Sequence, residues 1–227
     1  MSNGSRRPRL ELVDSLKREG VLKSKQVEGA LLAIDRADFL WKDESKGFAY
    51  SDTPLTLGET GQTISAPHMV VIMLEEAEIR PGLKVLEVGT GSGYNAALIA
   101  KLVKATKDNP VITIERNEEL VSFARTNLDY AGVHVSVVEG DGSLGYPKGS
   151  HEMIYDRIIV TAASPVIPPH LQDQLKLGGI LLLPLGRDLQ TLVKIRKQKD
   201  GSGKIKYSEE RLMAVAFVPL IGEGSFT

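Results

Sequence analysis

The sequence contains no cysteine, which excludes disulfides, thiolate metal centres, iron–sulfur clusters and cysteine nucleophiles. It has no apolar run near the ~20 residues that span a bilayer. The start, Met1 to Arg9, lacks the apolar core of a secretory signal. No membrane partner is expected, and the cytoplasm is the expected compartment. Charge of one sign is not in excess: the formal net charge is -1. No global field therefore draws the chain to nucleic acid or anionic lipid, and no nucleic-acid partner is expected. Histidine is sparse. His68, His134, His151 and His170 are scattered with no pair at a metal-ligand spacing, so no metal is expected. Internal repeats and low-complexity segments are absent.

What is present is an ordinary globular composition, 42% hydrophobic and 25% charged over 227 residues. That length suits a single domain, 1–227. Residues 1–66 read as N-terminal helices and a long loop, 67–186 as an α/β core and 187–227 as C-terminal strands. Leu10, Leu12, Val13 and Leu16 mark a first helix face, ended by Gly20. Ser24 suits the cap of a second helix. Residues 41–66 form a long irregular stretch, and loops of that length tend to be functional. Pro67 opens a helix to Ala77.

From Lys84 onward short apolar strands alternate with helices. Strands are predicted over 84–88, 111–114, 133–138, 157–161 and 180–185, with helices over 94–104, 117–130 and 168–176. Gly178-Gly179 is read as the break before the fifth strand. This alternation implies a doubly wound, mostly parallel Rossmann-like α/β sheet with a β-rich end over 189–196 and 211–220. Basic residues gather in Lys194 to Lys199 and Lys204 to Lys206, around Asp200-Gly201-Ser202-Gly203, and read as a solvated hairpin.

The sharpest motif is Glu87-Val88-Gly89-Thr90-Gly91-Ser92-Gly93, between a strand and a helix. A dinucleotide fingerprint needs glycine at 94, where this chain has Tyr94. That spacing disfavours a nicotinamide oxidoreductase. Glycines 89, 91 and 93 preceded by an acid resemble the first motif of class I S-adenosylmethionine-dependent methyltransferases. Glu87 would face the cationic end of that cofactor, directly or through water. Glu115 ends the second strand and can accept from two ribose hydroxyls. Asp141-Gly142 ends the third and can hold an adenine amine. Taken singly, each is equally a helix-start acid or a turn; three acids at successive strand ends point to one ligand.

Gly61-Gln62-Thr63-Ile64-Ser65-Ala66-Pro67-His68-Met69 makes the resemblance specific. It looks like the signature loop of the protein-L-isoaspartate (D-aspartate) O-methyltransferase family. Gly140-Asp141-Gly142, Ala162-Ala163-Ser164-Pro165, Leu177-Gly178-Gly179 and Phe217-Val218-Pro219-Leu220 agree with it, so the likeness covers nearly the whole chain. It implies methyl transfer from S-adenosyl-L-methionine to the misplaced carboxylate of isoaspartyl residues, with S-adenosyl-L-homocysteine as product. Repair then follows through a succinimide. The expected partners are isoaspartyl peptides and unfolded or aged proteins, met by a monomer.

The resemblance assigns the catalytic role to Ser65. Thr63, Ile64 and Ser65 would also meet the cofactor, as would Gln190. Thr63, Ile64, His68, Ala162, Ala163, Val218 and Leu220 would meet the peptide. By itself Ser65 is a plain turn or cap serine. Physically, a helix start at Pro67 favours an anion. The isoaspartyl α-carboxyl, with a pKa of roughly 3.5, is ionised at neutral pH and needs no general base.

The alternatives are a class I methyltransferase with an RNA or small-molecule acceptor, and a non-catalytic cofactor-binding adaptor. An amino-methylating enzyme often carries Asn/Asp-Pro-Pro-aromatic after the fourth strand, where this chain has Ala162-Ala163-Ser164-Pro165. Asn3-Gly4 and Asp200-Gly201 stand out as flexible deamidation or isomerisation sites within the chain itself.

Overall fold

The computed structural model describes residues 3–41 and 47–226. Two short strands, β1 (Leu55–Thr56) and β2 (Thr63–Ile64), form a small antiparallel hairpin. The other strands build one sheet: β3 (Val85–Val88), β4 (Val111–Glu115), β5 (Val135–Glu139), β6 (Tyr155–Val160), β7 (Leu175–Leu185), β8 (Gln190–Lys199) and β9 (Ile205–Val215). Their order is β5-β4-β3-β6-β7-β8-β9. Strands β3 to β7 pair in parallel, and β8 and β9 join antiparallel. The chain winds outward from β3 to β5, then returns to β6 on the other side. The switch point therefore lies between β3 and β6, where such sheets bind ligands.

The helices are α1 (Asn3–Arg18), α2 (Lys25–Ala33), α3 (Pro67–Glu76), α4 (Tyr94–Val103), α5 (Glu118–Ala131) and α6 (Pro169–Gln174). Ser24 caps α2 by accepting from the Val27 N–H at 3.2 Å. Asn117 caps α5 through the Glu119 and Leu120 N–H groups. The parallel strands are apolar on both faces because both are covered. Ile159 and Leu182 face one core with Leu16, Leu31, Leu74 and Leu98. Ile158, Val160, Leu181 and Leu183 face the other, with Leu171 of α6. Among the described residues no helix is long and apolar enough to cross a membrane.

Several expectations shift. The first helix starts at Asn3, so Asn3-Gly4 is helical backbone rather than a flexible tail. The irregular stretch contains the β1–β2 hairpin; residues 42–46 of it lie outside the described residues. Gly178-Gly179 does not precede the fifth strand but lies within β7. Tyr155 pairs with Leu175 and Arg157 with Ile180, so residues 176–179 bulge opposite Asp156 alone; glycines in a strand commonly mark such a bulge.

The last two strands run over 190–199 and 205–215 rather than 189–196 and 211–220. Their basic run is not wholly solvated. Lys194 and Lys197 are buried. Lys194 pairs with Glu76 and Glu78, and Arg196 with Glu78. Burial pushes the Glu78 carboxyl upward, but its bonds to Arg196 and Lys194 win and hold it at about 2. Asp200-Gly201 is not loose either. The Asp200 carboxylate accepts from the Ser202 N–H, the Ser202 hydroxyl and the Lys204 N–H at 2.8, 2.7 and 3.0 Å.

Candidate active site

At the carboxyl ends of β3 and β4 a cleft opens between the glycine turn and the β1–β2 hairpin. Its lining includes Thr63, Ile64, Ser65, Gly89, Gly91, Glu115, Gly142, Ala162, Val218 and Leu220. These come from segments far apart in sequence, and the sheet brings them to one place. A larger hollow of about 1270 Å³ is walled by α1, Asp35–Phe39 and residues 47–52. It holds none of the strand-end residues and so lies away from the place where this sheet presents a ligand.

The turn after β3 takes glycine because its own fold leaves no room for a Cβ. Gly89 has φ +96°, and a Cβ there would stand 2.3 Å from Thr161 Oγ1. The Thr161 hydroxyl donates to the Gly89 carbonyl at 2.7 Å and fixes the turn. A Cβ on Gly142 would meet Val88 Cγ1 at 2.4 Å. Gly93, expected in the site, sits outside the lining and packs the start of α4 against Leu128 and Ala124.

The three acids play three different parts. Glu115 lines the cleft. Its carboxylate accepts from the Gly91 N–H at 3.0 Å and from the Arg116 and Asn117 N–H groups at 2.9 and 3.1 Å. Those bonds hold it in one orientation and occupy Oε1 twice and Oε2 once, which leaves Oε2 able to accept from a hydroxyl. Glu87 is fully buried and absent from the lining. It accepts from Asn95 Nδ2 at 2.7 Å and from the Thr113 hydroxyl at 2.5 Å. Thr90 joins the network through Thr113 at 2.7 Å. Burial pushes the Glu87 carboxyl up to about 7, against the bonds from Thr113 and Asn95. Asn95 and Thr90, not Glu87, face the cleft. Asp141 turns away. Its carboxylate takes the Ser143 N–H and hydroxyl and the Glu223 N–H, tying down the chain's last turn. Gly140 and Gly142 line the cleft in its place.

The Thr63–Ser65 segment is positioned by the hairpin and by Arg36, which sequence reasoning passed over. Arg36 is buried and donates to the carbonyls of Ala49, Thr53 and Ser65 at 2.8, 3.0 and 3.2 Å. One guanidinium thereby gathers three turns of the long loop. The Ser65 hydroxyl makes no hydrogen bond among the described residues and lines the cleft. The anion at the start of α3 belongs to the chain itself: Asp52 accepts from the His68 N–H at 2.8 Å. His68 Nδ1 lies 3.0 Å from both Asp52 oxygens, and His68 is outside the lining.

The final segment forms the opposite wall. Ala163 donates to the Val218 carbonyl at 2.8 Å and accepts from the Leu220 N–H at 2.7 Å. Those two main-chain groups are therefore committed within the fold, so a peptide would meet Val218 and Leu220 through other atoms. Ala163 and Gln190 stay outside the lining. Gln190 instead brackets Phe217, donating to its carbonyl and accepting from its N–H.

Comparison with known proteins adds identity to this geometry. The family profile described as protein-L-isoaspartate(D-aspartate) O-methyltransferase matches residues 7–225. A protein-L-isoaspartate O-methyltransferase of Pyrococcus horikoshii is 53% identical, over 93% of this chain and 91% of that one. A relative of the same name from Hyperthermus butylicus is 50% identical, over 96% and 90%. Among solved structures, a protein-L-isoaspartate O-methyltransferase of Plasmodium falciparum in complex with S-adenosyl-L-homocysteine superposes with a TM-score of 0.79. It is 28% identical, covering 93% of this chain and 97% of that one.

Proposed function

The chain belongs to the protein-L-isoaspartate(D-aspartate) O-methyltransferase family, and we propose that its reaction runs in the cleft between the glycine turn and the Thr63–Ser65 hairpin. The activity is S-adenosylmethionine-dependent methylation of the free carboxylate of isoaspartyl residues. The observation that carries the assignment of the site is the convergence of Gly89, Gly91, Glu115 and Ser65 on one lining at the switch point of the sheet.

The backbone at Gly89, Gly91, Gly140 and Gly142, with Glu115 fixed beside it on the same lining, supports an adenosyl group. We assign Glu115 to the ribose, the Gly140 and Gly142 backbone to the adenine, and Thr90 with Asn95 to the methionine end. S-adenosyl-L-methionine supplies an electrophilic methyl there and leaves as S-adenosyl-L-homocysteine. The acceptor is already a carboxylate at neutral pH, so no side chain has to remove a proton. The chain's task is positioning and exclusion of water. Ser65 donates its hydroxyl to the carboxylate and orients one oxygen toward the methyl. Ile64 and Val218 wall the site with apolar surface. Asp52 and His68 hold the start of α3 from behind rather than touching substrate. In this reading Glu87 acts through Asn95, and Asp141, Ala163 and Gln190 brace the walls.

We further propose a single-domain monomer acting in the cytoplasm on isoaspartyl peptides and unfolded or aged proteins, without nucleic acid or membrane. The near-zero net charge supports that view.

Two matched peptides, isoaspartyl and aspartyl, incubated with methyl-labelled cofactor test the reading. Base-labile ester should form on the isoaspartyl peptide alone. Ser65→Ala should lose about a hundredfold in kcat/KM while retaining affinity for S-adenosyl-L-homocysteine. Equal labelling of both peptides, or of neither, contradicts the reading.

A further inference from the structure

At the opposite end of the sheet, beside the starts of β6 and β7, the fold brings together three residues that the sequence separates. His151, His170 and Asp173 each offer one ligand atom, and the three atoms lie within 4.8 Å of one another. His151 Nδ1 stands 2.7 Å from Asp173 Oδ2. The two imidazole rings are 5.4 Å apart between centroids. His170 Nδ1 is buried and has no hydrogen-bond partner among the described residues; a buried polar atom of that kind is uncommon in a folded protein. The 18 residues between His151 and His170 hide this pairing from any spacing rule.

We propose that His151, His170 and Asp173 bind one zinc(II) ion. Two imidazoles and a carboxylate form a donor set that zinc accepts readily. Zinc ligands at about 2.0–2.2 Å stand roughly 3.3 Å apart in a tetrahedron, so the side chains need to shift by only about an ångström. Both carriers are already pinned. The Gln174 side chain accepts from the Tyr146 N–H and donates to the Pro147 and Ser150 carbonyls, holding the segment that carries His151. Lys197 donates to the Gln172 and Asp173 carbonyls, holding α6. The ion joins the segment before β6 to the helix before β7. It lies at the far end of the strands from the cleft and takes no part in methyl transfer.

The test uses the full chain without a polyhistidine tag, stripped with chelator and titrated with zinc chloride by calorimetry. One zinc per chain is expected. His170→Ala and Asp173→Asn should each weaken binding by at least about tenfold. Background is small, since the chain has no cysteine and only His68 and His134 besides. Cobalt(II) should give the visible absorption of a tetrahedral site in the wild type only. At a hundredfold excess over Kd, zinc should raise the wild-type Tm by roughly 5 °C or more and leave the variants unmoved. Unchanged methylation of an isoaspartyl peptide by both variants shows that they are folded. Equal zinc binding by wild type and His170→Ala, or none by either, overturns the proposal and leaves His151–Asp173 a surface hydrogen bond.

Discussion

Arg36 donates from Nη2 to the Ser65 carbonyl at 3.2 Å, across 29 residues of sequence. The same guanidinium holds Ala49 and Thr53, so the hairpin that presents Ser65 is fixed by a buried cation with carbonyl partners. Arg36→Leu leaves three carbonyls short of a donor and should cost about 3 kcal/mol or more in urea unfolding. Arg36→Lys should restore only part of that, because an ammonium cannot match the planar fork. Both variants should lose activity on isoaspartyl peptide by more than their loss of affinity for S-adenosyl-L-homocysteine.

Glu87 makes the cofactor-free protein sensitive to pH. Its carboxyl titrates at about 7 in the fold against an ordinary 4.5. Between those values the folded chain holds a proton that the unfolded chain has lost, so stability falls as pH rises through that window and stays lowered above it. The full effect is on the order of 3 kcal/mol. Glu87→Gln should flatten this dependence and melt at or above the wild-type temperature at pH 8. Thermal unfolding of both proteins from pH 4.5 to 8 checks it; parallel curves would argue against a buried, protonated Glu87.

Gly89→Ala forces a Cβ onto Thr161 Oγ1 at a φ of +96°. The backbone strain alone is worth roughly 1–3 kcal/mol. Calorimetry with S-adenosyl-L-homocysteine should show no measurable binding, together with a lowered Tm. Thr161→Ser keeps the hydroxyl and should bind normally.

The Asp200-Gly201 turn should resist ageing. Its carboxylate is held below its usual range by bonds from the Ser202 hydroxyl and from backbone N–H groups, and an ionised, tethered carboxylate is a poor target for the Gly201 nitrogen. Peptide mapping after weeks at 37 °C should find Asp200 unchanged. In Ser202→Ala, which loses one tether, isoaspartate should accumulate faster.

The fold was legible in the sequence where local pattern and tertiary need coincide. The apolar runs at Val85–Val88 and Val111–Glu115 became adjacent strands, and Ser24 and Pro67 stand at helix starts. The glycine turn and the hairpin at Thr63–Ser65 do share one cleft. What the sequence hid depends on direction and distance. No pattern says that Asp141 turns toward Glu223, that Glu87 lies behind Asn95, or that Arg36 reaches Ser65. Strands of two residues, such as β1 and β2, are too short for an alternation to register. Lys194 read as solvated because its partners Glu76 and Glu78 lie more than a hundred residues away.

A crystal of the chain with S-adenosyl-L-homocysteine and an isoaspartyl peptide would show whether Ser65 holds the acceptor carboxylate against the methyl donor. The cofactor sulfur should lie over the Gly89–Gly91 turn and the carboxylate on the Ser65 hydroxyl. The nucleophilic oxygen should lie roughly 3–3.5 Å from where the methyl would stand. A carboxylate bound away from residues 63–65, or a sulfur sealed off from the peptide, would contradict that placement.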